Sequence, residues 1–500
     1  MDKRSKLKIL SRILQGLMCL LALILSGCNL APRYVPPKVP IVPEYRETGL
    51  WVKANPSVAT LGQKKPWWTV FHDPTLNRLE RQLSHHNNNI KIAYARFAEA
   101  RELAKIARSY LYPNIQGFFN ATKVQNSQNS LNNKTLTKLL YNNFLMAGLV
   151  SYEVDLWGKV RNGVKANEAY AAATQCDMVA MSLSLHTELA VEYYELRNAD
   201  RVYALLQRAV HNYQRSLRLF QNQHREGLVP EAVVDQATAL YEDAKTRLTE
   251  NRLQRAQWEH AIAVLIGVPP ANLKISIQQT DFHRVTIGPE LPSTLLERRP
   301  DVAAAELRVQ SANANIGIAR AAYFPAFNLF ATLGGQSSQL PELFSTNSIY
   351  WAIGPTAGTA IVSFVQPMIT WTIFDGFRLQ ANLSKAKDAV YQSAAAYRQT
   401  VLNAYKEVED RLVAVHRLDQ ELATQTLATQ AAARALRQIN LRLQGEVVTY
   451  IEVTPIENQA LQEEIALATV KVRRQIASVE LIKALGGGWS RCGAKHTCKV

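Results

Sequence analysis

The stretch FRLQANLSKAKDAVYQSAAAYRQTVLNAYKEVEDRLVAVHRLDQELATQTLATQAAARALRQINLRLQ, residues 377–444, fills the whole interval between Gly376 and Gly445 without a glycine or a proline. Apolar residues recur in it at steps of three and four: Leu379, Leu383, Ala386, Val390, Ala394, Tyr397, Val401, then Val408, Leu412 and Val415. That is the period of a helix, not of a strand. At 1.5 Å per residue the helix reaches about 100 Å, whereas a compact chain of this length has a radius of gyration of about 23 Å. Such a helix is expected to run along an elongated body and pack sideways on others like it. Ala394–Ala396 and Ala431–Ala433 widen its buried surface beyond one stripe, as for a helix contacted on two sides.

The residues just before it exclude a simple coiled-coil rod. In TAIVSFVQPMITWTIF, residues 359–374, Val365, Ile369, Trp371 and Ile373 share one parity while Gln366, Thr370 and Thr372 take the other. This predicts a strand with one apolar and one mostly polar face. A strand feeding a long helix is an unusual unit, and the chain holds it twice.

Working outward, composition narrows the classes. Charged residues are 20% of the 500 and the mean hydropathy is −0.13, which fits neither a disordered tail nor a polytopic helical membrane protein. Part of the formal +16 comes from the amino terminus, where Lys3, Arg4, Lys6, Lys8 and Arg12 stand against Asp2 alone. The rest is dispersed among acids, with no basic run interleaved with aromatics, so nucleic acid is not an expected partner. The basic start and the apolar run Ile13–Leu25 read as an export signal over residues 1–27. Leu25-Ser26-Gly27-Cys28 resembles a bacterial lipobox, with Cys28 the lipid-attachment residue at the start of the mature chain. Two or more acyl chains anchor stably where one does not. Asn29 in the second mature position, rather than aspartate, favours the outer membrane. Cys176 falls in a predicted helix as a small buried residue. Cys492, His496 and Cys498 in the tail 487–500 make a poor metal set, and a disordered tail is expected there.

In chain order, Pro32, Pro36, Pro37, Pro40 and Pro43 favour an extended tether from Cys28 to about Glu44, within a segment 28–74 that is also expected to start an equatorial region. A first repeat, 75–267, comprises a helix from about Asn88 to Leu111, strands 113–124 and 147–157 around an Asn- and Ser-rich loop, a long helix 159–226 and a helix 231–266. After a linker 268–293, a second repeat, 294–486, comprises a helix, strands 325–335 and 359–374, the helix 377–444 and a helix 455–485. Thr454-Pro455-Ile456-Glu457 reads as the capping box of that last helix. The intervals from Pro113 to Pro325, from Gly227 to Gly445 and from Gly267 to Gly486 are nearly equal, the signature of a tandem duplication. Strands of about 10 residues can cross a membrane when tilted. Four per chain cannot close a barrel, because lipid tolerates no open edge and small single-chain barrels need at least eight strands. Closure therefore requires several chains.

Particular motifs carry a family resemblance: Pro66-Trp67-Trp68 with Phe71, Asp73-Pro74 and Leu76; Tyr152-Glu153-Val154-Asp155-Leu156-Trp157-Gly158-Lys159-Val160-Arg161; Leu295-Leu296-Glu297-Arg298-Arg299-Pro300-Asp301; Ile316 through Pro325; and Gln366-Pro367 with Phe374-Asp375-Gly376. From Cys28 to about Leu485 the chain resembles outer-membrane efflux factor lipoproteins of the TolC/OprM (NodT-like) type, which work with resistance-nodulation-division pumps. The resemblance implies an α+β membrane protein forming a homotrimer. Its twelve-stranded β-barrel, four strands per chain, would sit in outer-membrane lipid and continue as a twelve-helix periplasmic α-barrel. It further implies a passive exit duct that receives substrates from a periplasmic adaptor and an inner-membrane transporter, with no cofactor. By the same resemblance, turns at Arg225, Gly227, Leu228 and Val229 and at Leu443, Gly445 and Val447 would dock the adaptor. Relatives often carry an aspartate shortly after the second glycine, where this chain has Val447-Val448. Arg442, Glu446 and Glu452 are the remaining charged gate candidates. Arg442–Glu446 pairing across subunits and apolar contact of Leu443 with Val447 stand as alternative seals.

The enzyme reading lacks motifs: His186-Thr187-Glu188 has no second histidine of a zinc helix and no phosphate loop occurs. His85-His86 is expected to be solvated. A structural coiled-coil envelope lipoprotein and the exit duct of a type I secretion system are the alternatives, and conductance separates a duct from a rod.

Overall fold

A computed structural model of the chain describes residues 29–39, 45–46, 66–125, 127, 140–279, 285, 298–353, 369–445 and 447–487. It forms two compact units, one from Met1–Pro37, Phe97–Thr174 and Ala305–Tyr397, the other from Lys38–Arg96, Gln175–Ala304 and Arg398–Val500. In chain order the elements are α1 (Pro74–His86), α2 (Asn88–Ser109), β1 (Asn114–Gln125), β2 (Leu140–Val154), α3 (Lys159–Arg225), α4 (Glu231–Leu265), α5 (Pro300–Ala321), β3 (Ala326–Ser337), β4 (Ile349–Ile353), β5 (Ile369–Thr370), α6 (Arg378–Gln444) and α7 (Tyr450–Ala484). The helices α3 and α6 are each 67 residues long.

The first unit holds an antiparallel sheet in the order β1-β2-β3-β4, with β5 also on β3. Both β4 and β5 run along the same edge of β3, at Ala331–Gly335 and at Ala326–Phe327. Among the described residues the sheet thus has four strand positions, and β1 and the β4/β5 position are its open edges. Register aligns the apolar parities. Val150 sits opposite Ile115 on one side and Ala331 on the other, Met146 opposite Phe119, Tyr152 opposite Leu329, and Val154 opposite Phe327. Leu333 faces Trp351 and Phe327 faces Ile369. Paired residues point to one side of a sheet, so these side chains form one apolar face.

Strands pass to helices through two matching turns. The Asp155 carboxylate accepts from the backbone N–H groups of Val160 (3.1 Å) and Arg161 (2.8 Å) at the start of α3, and Asp375 accepts from Leu379 (3.0 Å) at the start of α6. Each carboxylate thereby meets donors that a helix N-terminus leaves open. Gly158 (φ 74°) and Gly376 (φ 63°) make the left-handed turn that follows each aspartate, a conformation open to glycine without a Cβ clash.

The second unit is helical. Its core joins Trp67, Phe71, Leu76, Leu79 and Leu83 to Leu189, Tyr193, Tyr194 and Leu196 of α3, Ile262 and Leu265 of α4, and Val472 and Val479 of α7. Along α6, Tyr397 of the first unit and Val401, Ala404, Val408, Leu412 and Val415 of the second are buried in one helical stripe. Of the flanking alanines, Ala395, Ala396 and Ala431 are exposed and Ala394, Ala432 and Ala433 only half-buried in the single chain.

Several sequence expectations need correction. The last helix does not begin at 455 but at Tyr450, with Thr449 as its cap. The Glu452 carboxylate accepts from the Thr449 backbone N–H (3.1 Å), so the earlier threonine–glutamate pair closes the end. Thr454 instead bonds its hydroxyl back to the Tyr450 carbonyl (3.1 Å) from inside the helix. Pro455 lies within the helix, at its sixth residue, where it has no N–H to offer the Ile451 carbonyl. Of the strand expected at 359–374, 359–368 lies outside the described residues, and the ladder stops at Thr370 because β3 begins opposite it at Ala326. Strand β4 occupies part of the expected loop. The second strand begins at Leu140 and ends at Val154, not 147–157, because Asp155 turns to cap α3. Residues 74–86, read as tether and the start of the first repeat, form α1: Asp73 accepts from Thr75 (2.8 Å) and Leu76 (3.0 Å), with Pro74 at the first position. Cys176 is half-buried rather than buried. Gly445 lacks the left-handed φ that makes Gly227 a helix-ending glycine. Cys28, the signal 1–27, Glu446, Cys492 and Cys498 lie outside the described residues.

Candidate functional site

The apolar sheet face is open in the single chain. Ile115 is 75% exposed, Leu333 62% and Trp351 70%, on a face where water would be costly to hold and hydrocarbon is not. The opposite face carries Asn114, Gln116 and Thr122 of β1, Ser151 and Glu153 of β2, and Asn328, Thr332 and Gln336 of β3. Gln336 donates to the Asn143 side chain at 2.9 Å. Asp155 and Glu153 are both engaged at the strand end. Asp155 holds α3 and the Arg161 guanidinium (3.1 Å), and Glu153 pairs with Lys159 (2.9 Å).

The turns between long and short helices carry the docking candidates. After α3 the Gly227 N–H bonds the His224 carbonyl (2.9 Å) and the Leu228 N–H bonds that of Gln223 (2.8 Å). With Gly227 at φ 71° this is a Schellman end. His224 Nδ1 lies 2.9 Å from the Val229 carbonyl, binding the turn to itself. Arg225 is exposed and Leu228 is 72% exposed. At the other turn the Val447 N–H reaches the Arg442 carbonyl (2.9 Å) and the Gly445 N–H that of Leu441 (3.0 Å), as the Leu228 N–H reaches Gln223 and the Glu226 N–H reaches Asn222 (3.1 Å) at the first turn, with the glycine one position earlier. Val447 is 67% exposed, while Leu443 packs inward on Ile439, Val448 and Val453. Glu452 is engaged by its cap and Arg442 is exposed. The structure thus presents Leu228 and Val447 outward and turns Leu443 in.

The two hairpins meet at polar groups that periodicity could not find. Ser216 of α3 donates to the Tyr450 hydroxyl (2.6 Å), and Asn212 donates to Glu457 (2.6 Å). Further along α3, Arg197 is fully buried. It pairs with Asp200 (2.7 Å) and donates to the Ser276 carbonyl (2.8 Å). Arg255 of α4 pairs with the other Asp200 oxygen (2.7 Å) and the Ile275 carbonyl (2.7 Å). Two guanidiniums on one carboxylate tie the start of the linker, 274–279, to α3 and α4. Sequence shows only charged residues on a helix there, because Ile275 and Ser276 come after the whole of α4.

His186 is buried with its Nδ1 2.5 Å from the Glu80 carboxyl and its ring stacked on Trp68 at 4.4 Å. Burial pushes the Glu80 carboxyl well above the usual range and the His186 imidazole down to about 4. The pair shares one proton without net charge. His85 and His86 are exposed. The sequence-level Arg299-Pro300-Asp301 motif is a joint. Arg299 donates to the Ala484 carbonyl at the end of α7 (3.0 Å) and pairs with Asp301 (2.7 Å) and Glu407 (2.8 Å).

Residues 79–268, and again 291–487, match the model of the outer membrane efflux protein family. The chain is similar to the cation efflux system protein CusC of Escherichia coli O6:H1, 28% identical over 476 residues that cover 94% of this chain and 98% of CusC. It is as similar, at 28%, to the antibiotic efflux pump outer membrane protein ArpC of Pseudomonas putida, with 94% of each chain covered. The open state of the Neisseria gonorrhoeae MtrE outer membrane channel superposes with a TM-score of 0.80 at 27% identity, covering 93% of this chain and 99% of that one.

Proposed function

The chain belongs to the outer membrane efflux protein family and is an outer-membrane exit duct of an efflux pump, and from that premise we propose that it works as a lipid-anchored homotrimer docked on a periplasmic adaptor and an inner-membrane resistance-nodulation-division transporter. The family is one of transport ducts rather than enzymes. The observation that carries the trimer is the sheet with an apolar outer face and two open edges. Edges left open in lipid strand unpaired backbone groups, so β1 of one chain pairs with the β4/β5 position of the next. Three chains then supply the twelve strand positions of a closed barrel. The repeated order helix, strands, long helix, shorter helix supports reading residues 75–267 and 294–486 as copies of one duplicated unit.

The exposed Leu228 and Val447, beside Arg225, Gly227, Val229 and Gly445, support a docking role for the two turns. Lipid attachment at Cys28 rests on Leu25-Ser26-Gly27 before it. Near-equal similarity to a cation and an antibiotic efflux protein supports a duct that passes what its transporter delivers. The test is reconstitution. Purified protein should have three times the mass of the mature chain, and it should conduct ions across a planar bilayer once opened. A monomer, or a trimer that never conducts, overturns the proposal and favours an envelope rod.

A further inference from the structure

The described chain starts at Asn29, and its first residues are bound to one face of α5. The Arg320 guanidinium donates to the Leu30 carbonyl (3.3 Å), the Asn313 amide to the Pro32 carbonyl (2.9 Å), and the Tyr34 hydroxyl to Glu306 (3.5 Å). Positions 306, 313, 317 and 320 share a helix face, so the segment runs antiparallel to α5. Prolines explain why a helix side chain can hold it. An extended segment rich in proline has no backbone pairing of its own, which leaves its carbonyls free to accept. At the start of the segment the fit becomes steric. Asn162, in the first turn of α3 and wholly buried, donates to the Asn29 side chain at 2.9 Å. Gly317 has an ordinary φ, yet a Cβ there would collide with the Asn162 amide and come within 2.7 Å of the Ala31 methyl. A glycine inside a helix is destabilising relative to alanine; here it makes room for the incoming chain. The Asn162 amide oxygen, buried, has no partner among the described residues, so this amide is held for its N–H.

We infer that Asn162 and Gly317 form a docking slot for Asn29 and Ala31, the second and fourth residues of the acylated mature chain, which fixes the acyl anchor at the helix-proximal end of the strands. The inference rests on Cys28 being the acylated residue. The slot lies where Ala321 ends α5 and Ala326 begins β3, and where α3 leaves β2. Cys28 is bonded to Asn29 in the sequence, so a lipid carried on it is tethered one residue from the slot. The anchor and the apolar face then enter the membrane at a common depth.

Arg33 is exposed between the slot and Tyr34, and cleavage after it would release the segment 28–33. Purified trimer carrying radiolabelled fatty acid is digested with trypsin, and label released on the fragment ending at Arg33 is scored apart from label freed by cuts at Lys38, Arg46 or beyond. The parent should keep its label, because several bonds must open before Arg33 can enter a protease. Gly317→Leu and Asn162→Leu should lose label at least tenfold faster while still trimeric. Should either fail to assemble, Gly317→Ala should be nicked faster, and Ala31→Gly in the same chain should restore only part of the protection, since the Asn162 amide still meets the new Cβ. Label loss at the parent rate in every slot variant overturns the slot. A parent that takes up no label but shows the same pattern of protection at Arg33, read by mass, sinks the lipid-attachment reading and leaves the slot standing.

Discussion

The Trp157 indole N–H donates to the Pro325 carbonyl at 2.8 Å, while the ring stacks on Phe324 with centroids 4.7 Å apart. One residue thus joins the turn after β2 to the turn before β3, although the whole of α3, α4 and α5 lies between them in the chain. In the second half Trp371 reaches the Tyr323 carbonyl at 3.3 Å, so both strand–helix turns bear on the segment 323–325.

Trp157→Phe should keep the stacking and lose the hydrogen bond, at a loss of about 1 kcal/mol per chain. Trp157→Ala should lose the aromatic pair as well, about another 1 kcal/mol. The temperature at which the trimer dissociates in detergent checks the order: parent, Phe, Ala. Equal values for Phe and parent would assign the contact to stacking alone.

Arginine on the apolar face should be harmful according to depth. Leu333→Arg should cost about 2–4 kcal/mol if it lies near the bilayer midplane, and Val154→Arg, at the helix-proximal strand end, less. Thr332→Arg and Ser151→Arg point to the other face and should be tolerated. Heat-modifiable trimer recovered from outer membranes is the readout, and equal damage on both parities would refute the register.

The Glu80–His186 pair should set a pH optimum. Glu80 is held well above 4.5 by burial and His186 is held at about 4, below 6.5. Between about pH 4.5 and 6.5 the folded pair and the unfolded chain each bind one proton, and stability is level. Above 6.5 the unfolded pair binds none while the folded pair keeps one. Stability therefore falls as pH rises toward the folded value of Glu80. Below 4.5 the unfolded chain binds two, and stability falls with acid. Glu80→Gln should flatten the alkaline limb of dissociation temperature against pH. An unchanged limb would assign it to other groups.

At the tip, Leu443→Ser should loosen its own hairpin, because Leu443 packs on Ile439, Val448 and Val453. Val447→Ser should leave stability unchanged and raise the resting conductance in a planar bilayer if apolar contact seals the duct. Glu446→Arg raising it instead, with Val447→Ser silent, would assign the seal to charge.

The sequence by itself determined the elements. Helical period over 377–444, alternation in 113–124 and 325–335, and the spacing of Gly227 and Gly445 placed the long helices closely at either end, because period and helix breakers are local properties. The strand arithmetic also made one chain insufficient. What the structure decided is which of several similar residues is engaged, in some places through a partner a few residues away and in others through a distant one. Thr449 rather than Thr454 caps α7, where Thr454 bonds Tyr450 and Glu452 closes on Thr449. Leu443 turns inward while Val447 stays out, a choice made by Ile439 one turn back on α6 and by Val448 and Val453 beyond the turn. Arg197 is buried because Asp200, Ser276 and Tyr193 surround it, and Gly317 is bare because Asn162 and Ala31 occupy the space. Periodicity records which face of an element is apolar. It cannot record which of two chemically similar residues meets a buried partner, since that depends on how segments pack, whether near or far apart in the chain.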